Sequence, residues 1–302
     1  MKKNCFLLLL LALGMAYGQD ETANWYFGQG AGLYFNNDGT VTPLTDGKIR
    51  TEEGCATISD KSGALLFYTD GITVYDRNHA VMENGTRLYG DPSSTQSAII
   101  VPGPSSDTLF YIFTVDTSIR EDDPDRGLNY SIVDMSQNNG NGAITEKNIN
   151  LLATCSEKIT AVVKDCSDES IWVMTLSTLD GVDGPPDTFH AFEVSDEGVD
   201  DNSVKSTFST KFGDERGNLK LSSDGKKMAG ANEHDGLYLY DFNAETGVVS
   251  NAQRIRIAAR YRNPYSVEFS PNNQFLYVHS HSDAPALETG HNSNLLQFDL
   301  AS

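Results

Sequence analysis

Five aspartates in matching positions are the residues whose types and spacing could do chemistry in this sequence. Each follows a short apolar run that ends in a turn; they are Asp70, Asp116, Asp180, Asp235 and Asp283. Carboxylates that converge without Lys or Arg repel one another unless a cation or a basic ligand offsets them. The set therefore predicts a Ca²⁺ site or a docking face for a cationic partner. The alternative is that each aspartate caps its own turn by accepting hydrogen bonds from nearby backbone N–H groups.

The segment HSHSD, residues 279–283, has the residue types of a zinc site. On a strand, His279 and His281 would point to one face, which suits a metal ion. The pattern is similar to the metal loop of the metallo-β-lactamase fold, but that loop has a further His where Ala284 stands. Only 18 residues follow Ala284, too few for the remaining ligands. We therefore expect an accidental surface pair near a loop, with His291 close enough in sequence for adventitious metal binding.

Other catalytic patterns are missing from the sequence. It contains no Gly-x-Ser-x-Gly nucleophile elbow, and the acidic insert Arg120–Gly127 lacks the spacing and the final Glu of an EF-hand loop. The glycines of Gly28–Gly32 lie in a hairpin rather than before a helix, so they predict no dinucleotide site. Cysteines 55, 155 and 166 are odd in number and widely spread, which predicts free thiols. We predict no catalytic residue, and no cofactor other than Ca²⁺.

A repeated strand pattern positions the five aspartates. In the stretch SDKSGALLFYTDG, residues 59–71, five apolar or aromatic residues lie between two turns, which is typical of a buried strand. Four other segments repeat the order of strand, turn and strand before an acidic residue, and a third strand follows each time. The units start near residues 56, 98, 160, 219 and 267.

Consecutive four-stranded antiparallel units of this length predict an all-β fold, a β-propeller with WD-like or YVTN-like blades. A pair of β-sandwiches is the alternative. Residues 24–52 fit a partial first blade that lacks its first strand. We expect about six to seven blades, with the ring incomplete at the C-terminus. Trp25 and Trp172 are predicted to pack between blades rather than to form a sugar-binding platform.

The N-terminus predicts export. Residues 1–18 have a basic start, a short apolar run and small residues before a cleavage point between Gly18 and Gln19, as in a secretory signal peptide. The propeller domain would then be residues 19–302. The formal net charge of −20 argues against nucleic acid and anionic lipid as partners. No apolar segment is long enough for a transmembrane helix, so we expect no membrane insertion.

Several strings of the sequence carry a family resemblance, among them NWYFGQGAGLYFN, EGCATISDKSGALLFYTDGITVYDRNHAVMENG and VEFSPNNQFLYV. Together they resemble the N-terminal propeller region of large secreted and surface proteins of Bacteroidota, which are gliding-motility or adhesin-like. Those proteins usually end in a type IX secretion sorting domain, and none follows Ser302 here. The resemblance implies a cell-surface or extracellular location, or the periplasm if no sorting domain follows, and further domains of a longer chain are conceivable.

Two functions are compatible with these patterns. The first is an exported, non-catalytic propeller that acts as a binding or scaffold module for a protein or a cell-surface polysaccharide. The alternative is a cation-dependent propeller hydrolase of the lactonase type, or a lyase, that uses an acidic central face. The first is favoured because no catalytic constellation accompanies the repeat.

Overall fold

The computed structural model describes residues 20–116, 124–164, 169–282 and 292–301, which form a β-propeller of six blades. The predicted all-β propeller fold is therefore confirmed. The predicted cleavage site at Gly18 and Gln19 lies outside the described residues. Among the described residues, no helix is long and apolar enough to cross a membrane.

The first three blades contain eleven strands in chain order. Blade I consists of β1 (Asn24–Phe27), β2 (Ala31–Phe35) and β3 (Val41–Leu44). Blade II consists of β4 (Ala56–Ser59), β5 (Leu65–Thr69), β6 (Thr73–Asp76) and β7 (Val81–Thr86). Blade III consists of β8 (Ala98–Pro102), β9 (Leu109–Asp116), β10 (Gly127–Asp134) and β11 (Ala143–Leu152). Neighbouring strands within each blade are antiparallel. A single parallel bridge between Ala143 and Glu83 joins β11 to β7, so blades II and III form one continuous eight-stranded sheet.

The remaining blades follow the same order of strands. Blade IV consists of β12 (Ile159–Val163), β13 (Ile171–Ser177), β14 (Thr188–Ser195), β15 (Gly198–Val199) and β16 (Val204–Thr207). Blade V consists of β17 (Leu219–Leu221), β18 (Lys227–Asn232), β19 (Gly236–Asn243) and β20 (Val248–Ile255). Blade VI consists of β21 (Pro264–Phe269), β22 (Phe275–Ser282) and β23 (Asn292–Asp299). The inner strands β4, β8, β12, β17 and β21 begin close to the predicted unit starts.

Turn chemistry explains why the sequence breaks into such short strands. After β4, the Asp60 carboxylate accepts hydrogen bonds from the N–H groups of Ser62 and Ala64, at 2.8 and 3.1 Å, and this closes the turn before β5. Gly71 closes the next turn with a φ of +87°, and a Cβ there would lie 2.1 Å from Ser97 Oγ. Glycine is required at that position both for its backbone angle and for the close approach of the next blade.

Apolar seams between consecutive blades form the core. Each blade is a twisted sheet whose two faces pack on its neighbours, so the strands carry apolar residues on both faces. Phe67 of blade II packs edge-on against Phe110 of blade III, with ring centroids 5.5 Å apart. Trp172 is buried in the seam between blades IV and V, where its indole N–H donates to the carbonyl of Ala244 at 2.6 Å. The packing role predicted for Trp172 is therefore confirmed.

Blade I is incomplete within the described residues, because β1 has no inner strand beside it. Thr57 of β4 partly takes the place of that strand, since its Oγ1 accepts a hydrogen bond from the backbone N–H of Tyr26 at 3.0 Å. Tyr26 stacks on Tyr68 of blade II and is buried, whereas Trp25 points to the opposite face and is 51% exposed. The inter-blade packing predicted for Trp25 is wrong, because no blade covers that face within the described residues.

Candidate functional site

The residues that precede the inner strands meet at one end of the central channel. Glu53, Thr95 and Arg216 each lie three residues before an inner strand, Glu157 lies two residues before β12, and Tyr265 lies at the start of β21. Inner strands of a propeller run in the same direction around the axis, so these residues converge. We call this group the channel mouth.

Thr95 connects three blades across the channel mouth. Its backbone N–H and its hydroxyl donate to Glu157 Oε2, at 2.8 and 2.6 Å. Its Oγ1 also accepts from the N–H of Gly217 at 3.2 Å and lies 3.0 Å from the Tyr265 hydroxyl oxygen. Tyr265 in turn donates to Glu53 Oε2 at 2.5 Å. The loop before blade III therefore contacts blades IV, V and VI, and it spans the mouth.

Gln96 extends the same connection to the inner strands. Its Oε1 accepts hydrogen bonds from the N–H groups of Ile159 and Leu219, at 3.2 and 2.8 Å, and its Nε2 donates to the carbonyl of Leu219 at 3.2 Å. These bonds satisfy backbone groups at the starts of β12 and β17. The Thr95–Gln96 pair thus fixes the relative positions of blades III, IV and V at the axis.

A cavity of about 420 Å³ lies beside this connection, and its lining includes Glu53, Cys55, Thr95, Ile100, Ile159 and Asn218. Apolar residues of the inner strands β4, β8 and β12 contribute to the lining, and Glu53 contributes a carboxylate. Burial raises the pKa of the Cys55 thiol to about 11, so this sulfur stays protonated and is a poor nucleophile. Partial desolvation raises the pKa of Glu53, and the hydrogen bond from Tyr265 opposes that shift. The cavity can hold a small group, but its lining offers no activated nucleophile.

Arg216 is at the centre of an ion cluster in which both carboxylates have a cationic partner. Its guanidinium binds Asp214 through two bonds, Nε to Oδ1 at 3.0 Å and Nη2 to Oδ2 at 2.8 Å, and its Nη1 lies 2.8 Å from Glu233 Oε2. His281 Nε2 lies 2.9 Å from Glu233 Oε1, and His234 Nδ1 contacts Asp214 Oδ2. We call these five residues the arginine cluster. Burial alone would raise the pKa of Asp214, but the hydrogen bonds from Arg216 and His234 outweigh it and lower the pKa to about 2.

Three other carboxylates form an unbalanced group, which we call the acidic cluster: Asp125, Asp183 and Glu215. Burial raises the pKa of Glu215 to about 7, and the charges of Asp125, Glu157 and Asp183 add to that shift, while Lys158 opposes it. Burial likewise raises the pKa of Asp125 to about 6, with a further contribution from Asp183. Within the described residues, none of the three carboxylates is within ion-pair distance of a Lys or Arg side chain. The charge of Lys158 therefore offsets part of theirs without forming a direct ion pair.

Lys158 does not neutralise the acidic cluster directly. Its side chain is buried, and its ammonium donates to the carbonyl oxygens of Glu215 and Arg216, at 2.6 and 2.8 Å. Burial lowers its pKa to about 8. These bonds hold the loop 213–217, which carries Asp214, Glu215 and Arg216 in succession. Lys158 therefore helps to position the members of each cluster that lie on this loop.

The five aspartates predicted from the sequence differ in their surroundings. Asp70 caps its own turn, accepting hydrogen bonds from the N–H groups of Ile72 and Thr73 at 3.0 and 2.7 Å. Asp116 is buried at the end of β9, with its Oδ2 3.9 Å from Arg126 Nε. Asp180 is exposed. Asp283 lies outside the described residues.

Asp235 is a predicted aspartate that contacts the loop of the arginine cluster. Its Oδ2 accepts hydrogen bonds from the N–H groups of Gly213 and Asp214, at 2.7 and 3.0 Å, so it supports the loop of the arginine cluster. Among the described residues, one group of three potential metal ligands has atoms that all lie within 4.8 Å of one another, and it consists of Asp214, Glu233 and His234. The structure thus brings together a different set of potential ligands from the predicted one, and the metal role of the five aspartates stays a prediction.

The expected accidental surface pair of histidines is wrong for His281. That side chain is only 7% exposed and is bonded to Glu233 across the seam between blades V and VI. Strand alternation does not explain this burial, because the buried face of β22 carries Leu276, Val278 and Ser280. His281 is covered instead by Glu233 and by the Tyr265 ring, whose centroid lies 5.9 Å from that of the imidazole. His291 lies outside the described residues.

The similarities of this chain to known proteins are similarities of structure. No family model and no curated protein sequence matches the chain. Its structure is similar to hydrazine synthase of Kuenenia stuttgartiensis, with a TM-score of 0.45 and 13% identity over 81% of this chain and 59% of that chain. It is also similar to a gluconolactonase from Xanthomonas campestris, with a TM-score of 0.44 and 13% identity over 85% of this chain and 78% of that chain. The match to the Dos1 propeller has a TM-score of 0.45 and 9% identity over 85% of this chain and 62% of that chain. The chain spans less than two thirds of the hydrazine synthase and Dos1 chains.

Proposed function

We propose that this chain is an exported, non-catalytic β-propeller module that binds a basic protein partner at the acidic end of its central channel. The observation that carries the proposal is that Arg216 and Lys158 at this end are already bonded, whereas the carboxylates of the acidic cluster have no Lys or Arg side chain within ion-pair distance among the described residues. Arg216 is bonded to Asp214 and Glu233, and Lys158 is bonded to backbone carbonyls. A surface with uncompensated carboxylates attracts cationic groups and steers them to it.

The composition of the chain supports a basic polypeptide over a polysaccharide as the partner. The whole chain carries 22 Lys and Arg against 42 Asp and Glu, so its long-range field is negative. Lysine and arginine side chains supply the opposite charge in a compact, repeated form, whereas neutral or acidic sugars do not. Export and the cell-surface or extracellular location follow from the signal-peptide pattern and remain part of the proposal.

The arginine cluster favours a binding function over the cation-dependent hydrolase. A metal ion at Asp214, Glu233 and His234 would need the oxygen and nitrogen atoms that now face the Arg216 guanidinium. Arg216 Nη2 lies 3.1 Å from His234 Nδ1 and 2.8 Å from Asp214 Oδ2. A fixed positive charge at that distance opposes the binding of a second cation. Calcium binding at the acidic end stays a prediction.

The test is a titration of the mature protein with poly-L-lysine at low and high salt. We expect binding that weakens as salt rises, because the interaction is between exposed charges. Glu215→Gln and Asp183→Asn should each weaken it several-fold, and calcium should compete. The matched control is Asp200→Asn, which removes the same charge at an exposed aspartate in the loop between β15 and β16. Equal losses in the control and in Glu215→Gln would contradict a specific site.

A further inference from the structure

A run of basic residues joins blade V to blade VI. Four exposed arginines lie at the end of β20 and in the connection to β21, namely Arg254, Arg256, Arg260 and Arg262. Residues 246–267 contain no Asp or Glu, although the whole chain has 42 of them in 302 residues. Among the described residues, none of the four guanidinium groups has a carboxylate within ion-pair distance, whereas Lys61 and Lys220 each lie 2.8 Å from one. We call residues 254–262 the basic segment.

The backbone of the basic segment is anchored to the propeller at both ends. Ile255 and Ile257 pack against the apolar core between blades V and VI, so the alternate side chains of Arg254 and Arg256 are directed outward. Just beyond the segment, the carbonyl of Asn263 accepts a hydrogen bond from the N–H group of residue 281 in β22 at 3.1 Å. The arginines are therefore presented by a fixed backbone, which lowers the entropy cost of binding a ligand.

Two of the guanidinium groups lie over aromatic rings. Arg254 Cζ is 6.0 Å from the centroid of the Tyr238 ring, and Arg260 Cζ is 4.6 Å from that of the Tyr261 ring. Such contacts restrict the orientation of a guanidinium group without neutralising its charge. The planar fork of N–H donors on arginine matches the two oxygens of a carboxylate. The basic segment therefore offers oriented donors to an anionic ligand.

Uncharged polar groups lie next to these donors. The exposed side-chain amide of Gln253 and the hydroxyl of the half-buried Tyr261 have no hydrogen-bond partner in the part of the chain that the structure describes. An amide and a phenol can both donate and accept, so they suit the hydroxyl groups of a ligand. A sugar that bears a carboxylate supplies both hydroxyl and anionic groups, whereas an acidic peptide supplies mainly the anionic ones.

The charge of the rest of the chain restricts the shape of the ligand. Its net charge is −20, so a broad anionic surface such as a membrane or a nucleic acid duplex would also meet many of its carboxylates. A narrow polymer can contact the basic segment alone, because charges more than about 8 Å away are largely screened at physiological ionic strength. A linear acidic polysaccharide has this shape and the required chemistry.

We propose that the basic segment binds an acidic polysaccharide, whose carboxylate groups pair with its guanidinium groups and whose hydroxyl groups bond to Gln253 and Tyr261. Charge-assisted hydrogen bonds from arginine to carboxylate supply most of the affinity. The uncharged contacts distinguish a sugar from other polyanions. The site uses residues other than those of the acidic cluster and takes a ligand of opposite charge, so it does not depend on the basic partner proposed for that cluster.

The experiment is a calorimetric titration of the mature protein with polygalacturonate, a linear polysaccharide with a carboxylate on each sugar. Neutral dextran is the matched polymer without charge. We expect polygalacturonate to bind, with an affinity that falls as salt rises, and dextran not to bind. Absence of binding to polygalacturonate, or equal binding of both polymers, would overturn the proposal.

Single variants locate the binding on the basic segment. Arg256→Gln should weaken the binding of polygalacturonate several-fold, and Arg256→Lys should have an intermediate effect because lysine lacks the planar fork. The control is Arg77→Gln, the same change at an exposed arginine in the turn between β6 and β7, and it should leave binding unchanged. Equal losses in Arg256→Gln and Arg77→Gln would overturn the proposal.

Other polyanions test the class of ligand. Tyr261→Phe should weaken the binding of polygalacturonate and not that of poly-L-glutamate, which has carboxylates but no hydroxyl groups. Binding of poly-L-glutamate as tight as that of polygalacturonate would overturn the proposal in favour of an acidic protein segment. Self-association of the protein that Arg256→Gln and Glu215→Gln both abolish would overturn it in favour of a second copy of the chain. Arg256→Gln should not weaken the binding of poly-L-lysine, so the two proposed sites can fail separately.

Discussion

Asp214 and Glu215 are consecutive in the chain, yet their carboxyl groups behave in opposite ways. The pKa of Asp214 is lowered to about 2, and that of Glu215 is raised to about 7. Burial pushes both values upward, so burial does not explain the difference. Asp214 receives hydrogen bonds from Arg216, whereas Glu215 lies near the like charges of Asp125 and Asp183.

The comparison separates a structural ion cluster from a surface available to a ligand. The arginine cluster uses its charges to join blades V and VI, since Arg216 and His281 both bind Glu233. The acidic cluster has no such partner in the described part of the chain, so its ionised form is unfavourable until a cation approaches. The presence of carboxylates alone therefore does not identify the binding surface. It is identified by carboxylates that have no Lys or Arg side chain paired with them.

The largest expected effect comes from removing the central cation. Arg216→Ala would leave the buried Glu233 and the Asp214 carboxylate without their main partner. Breaking a buried ion pair typically lowers the free energy of unfolding by about 3–5 kcal/mol. We expect a value near the lower end of that range, because the Arg216 side chain is 42% exposed. Urea denaturation at neutral pH measures it.

Two further variants sharpen that result. Arg216→Lys keeps the charge but not the bidentate contact with Asp214, so its loss of free energy of unfolding should be intermediate. Arg254→Ala removes an arginine that lies over the Tyr238 ring at 6.0 Å, and its cost should be small. A loss in Arg216→Ala no larger than in Arg254→Ala would contradict the central role of Arg216.

The next effect is a dependence of stability on pH. Carboxyl groups whose pKa is raised in the folded state, such as Glu215 and Asp125, contribute stability that is complete below their unfolded values and is lost as pH rises through about 6 and about 7. Lowering the pH from about 7.5 to about 5 should therefore let these two groups stabilise the fold, by roughly 1–2 kcal/mol because both are partly solvated. Asp214 does not oppose this change, since its contribution is lost only as pH falls toward about 2. The buried His190, whose pKa is lowered by burial, opposes it, so the effect of the two carboxyl groups is the difference between the wild type and a variant that lacks them.

Thermal unfolding across this pH range tests the assignment. The double variant Asp125→Asn, Glu215→Gln should flatten the profile, because it removes both titrating groups. Asp200→Asn, a change at an exposed site away from the channel, should leave the profile as it is. A profile unchanged in the double variant would show that other groups cause it.

The fold was predictable because its determinants are local. Turn residues such as Asp60 and Gly71 lie at both ends of each short strand. The repeat of that pattern predicted the blades and their approximate starts. The closure of the ring was less predictable, because it depends on which faces meet in space. Trp25 and Trp172 have the same residue type, but one is exposed and the other lies in a seam.

The candidate site was predicted only in part. The sequence pointed to the acidic end of the propeller and to Asp235, which supports the loop of the arginine cluster. It did not reveal Asp214, Arg216 or Glu233, because their pairing joins loops of different units. One signal was available: charged residues recur just before the inner strands, as in GDERG before β17. Opposite charges in such matching positions predict ion pairs across the channel.

The most direct measurement is the difference between two single variants of neighbouring residues, Asp214→Asn and Glu215→Gln, in urea denaturation at about pH 7.5. Asp214→Asn should destabilise the fold by about 1–3 kcal/mol, because it breaks a charged hydrogen-bonded pair. Glu215→Gln should stabilise it slightly, because it removes an uncompensated charge. Changes of opposite sign are the predicted result. Destabilisation by both variants to the same extent would contradict the division between the arginine cluster, whose carboxylates are paired with a cation, and the acidic cluster, whose carboxylates are not.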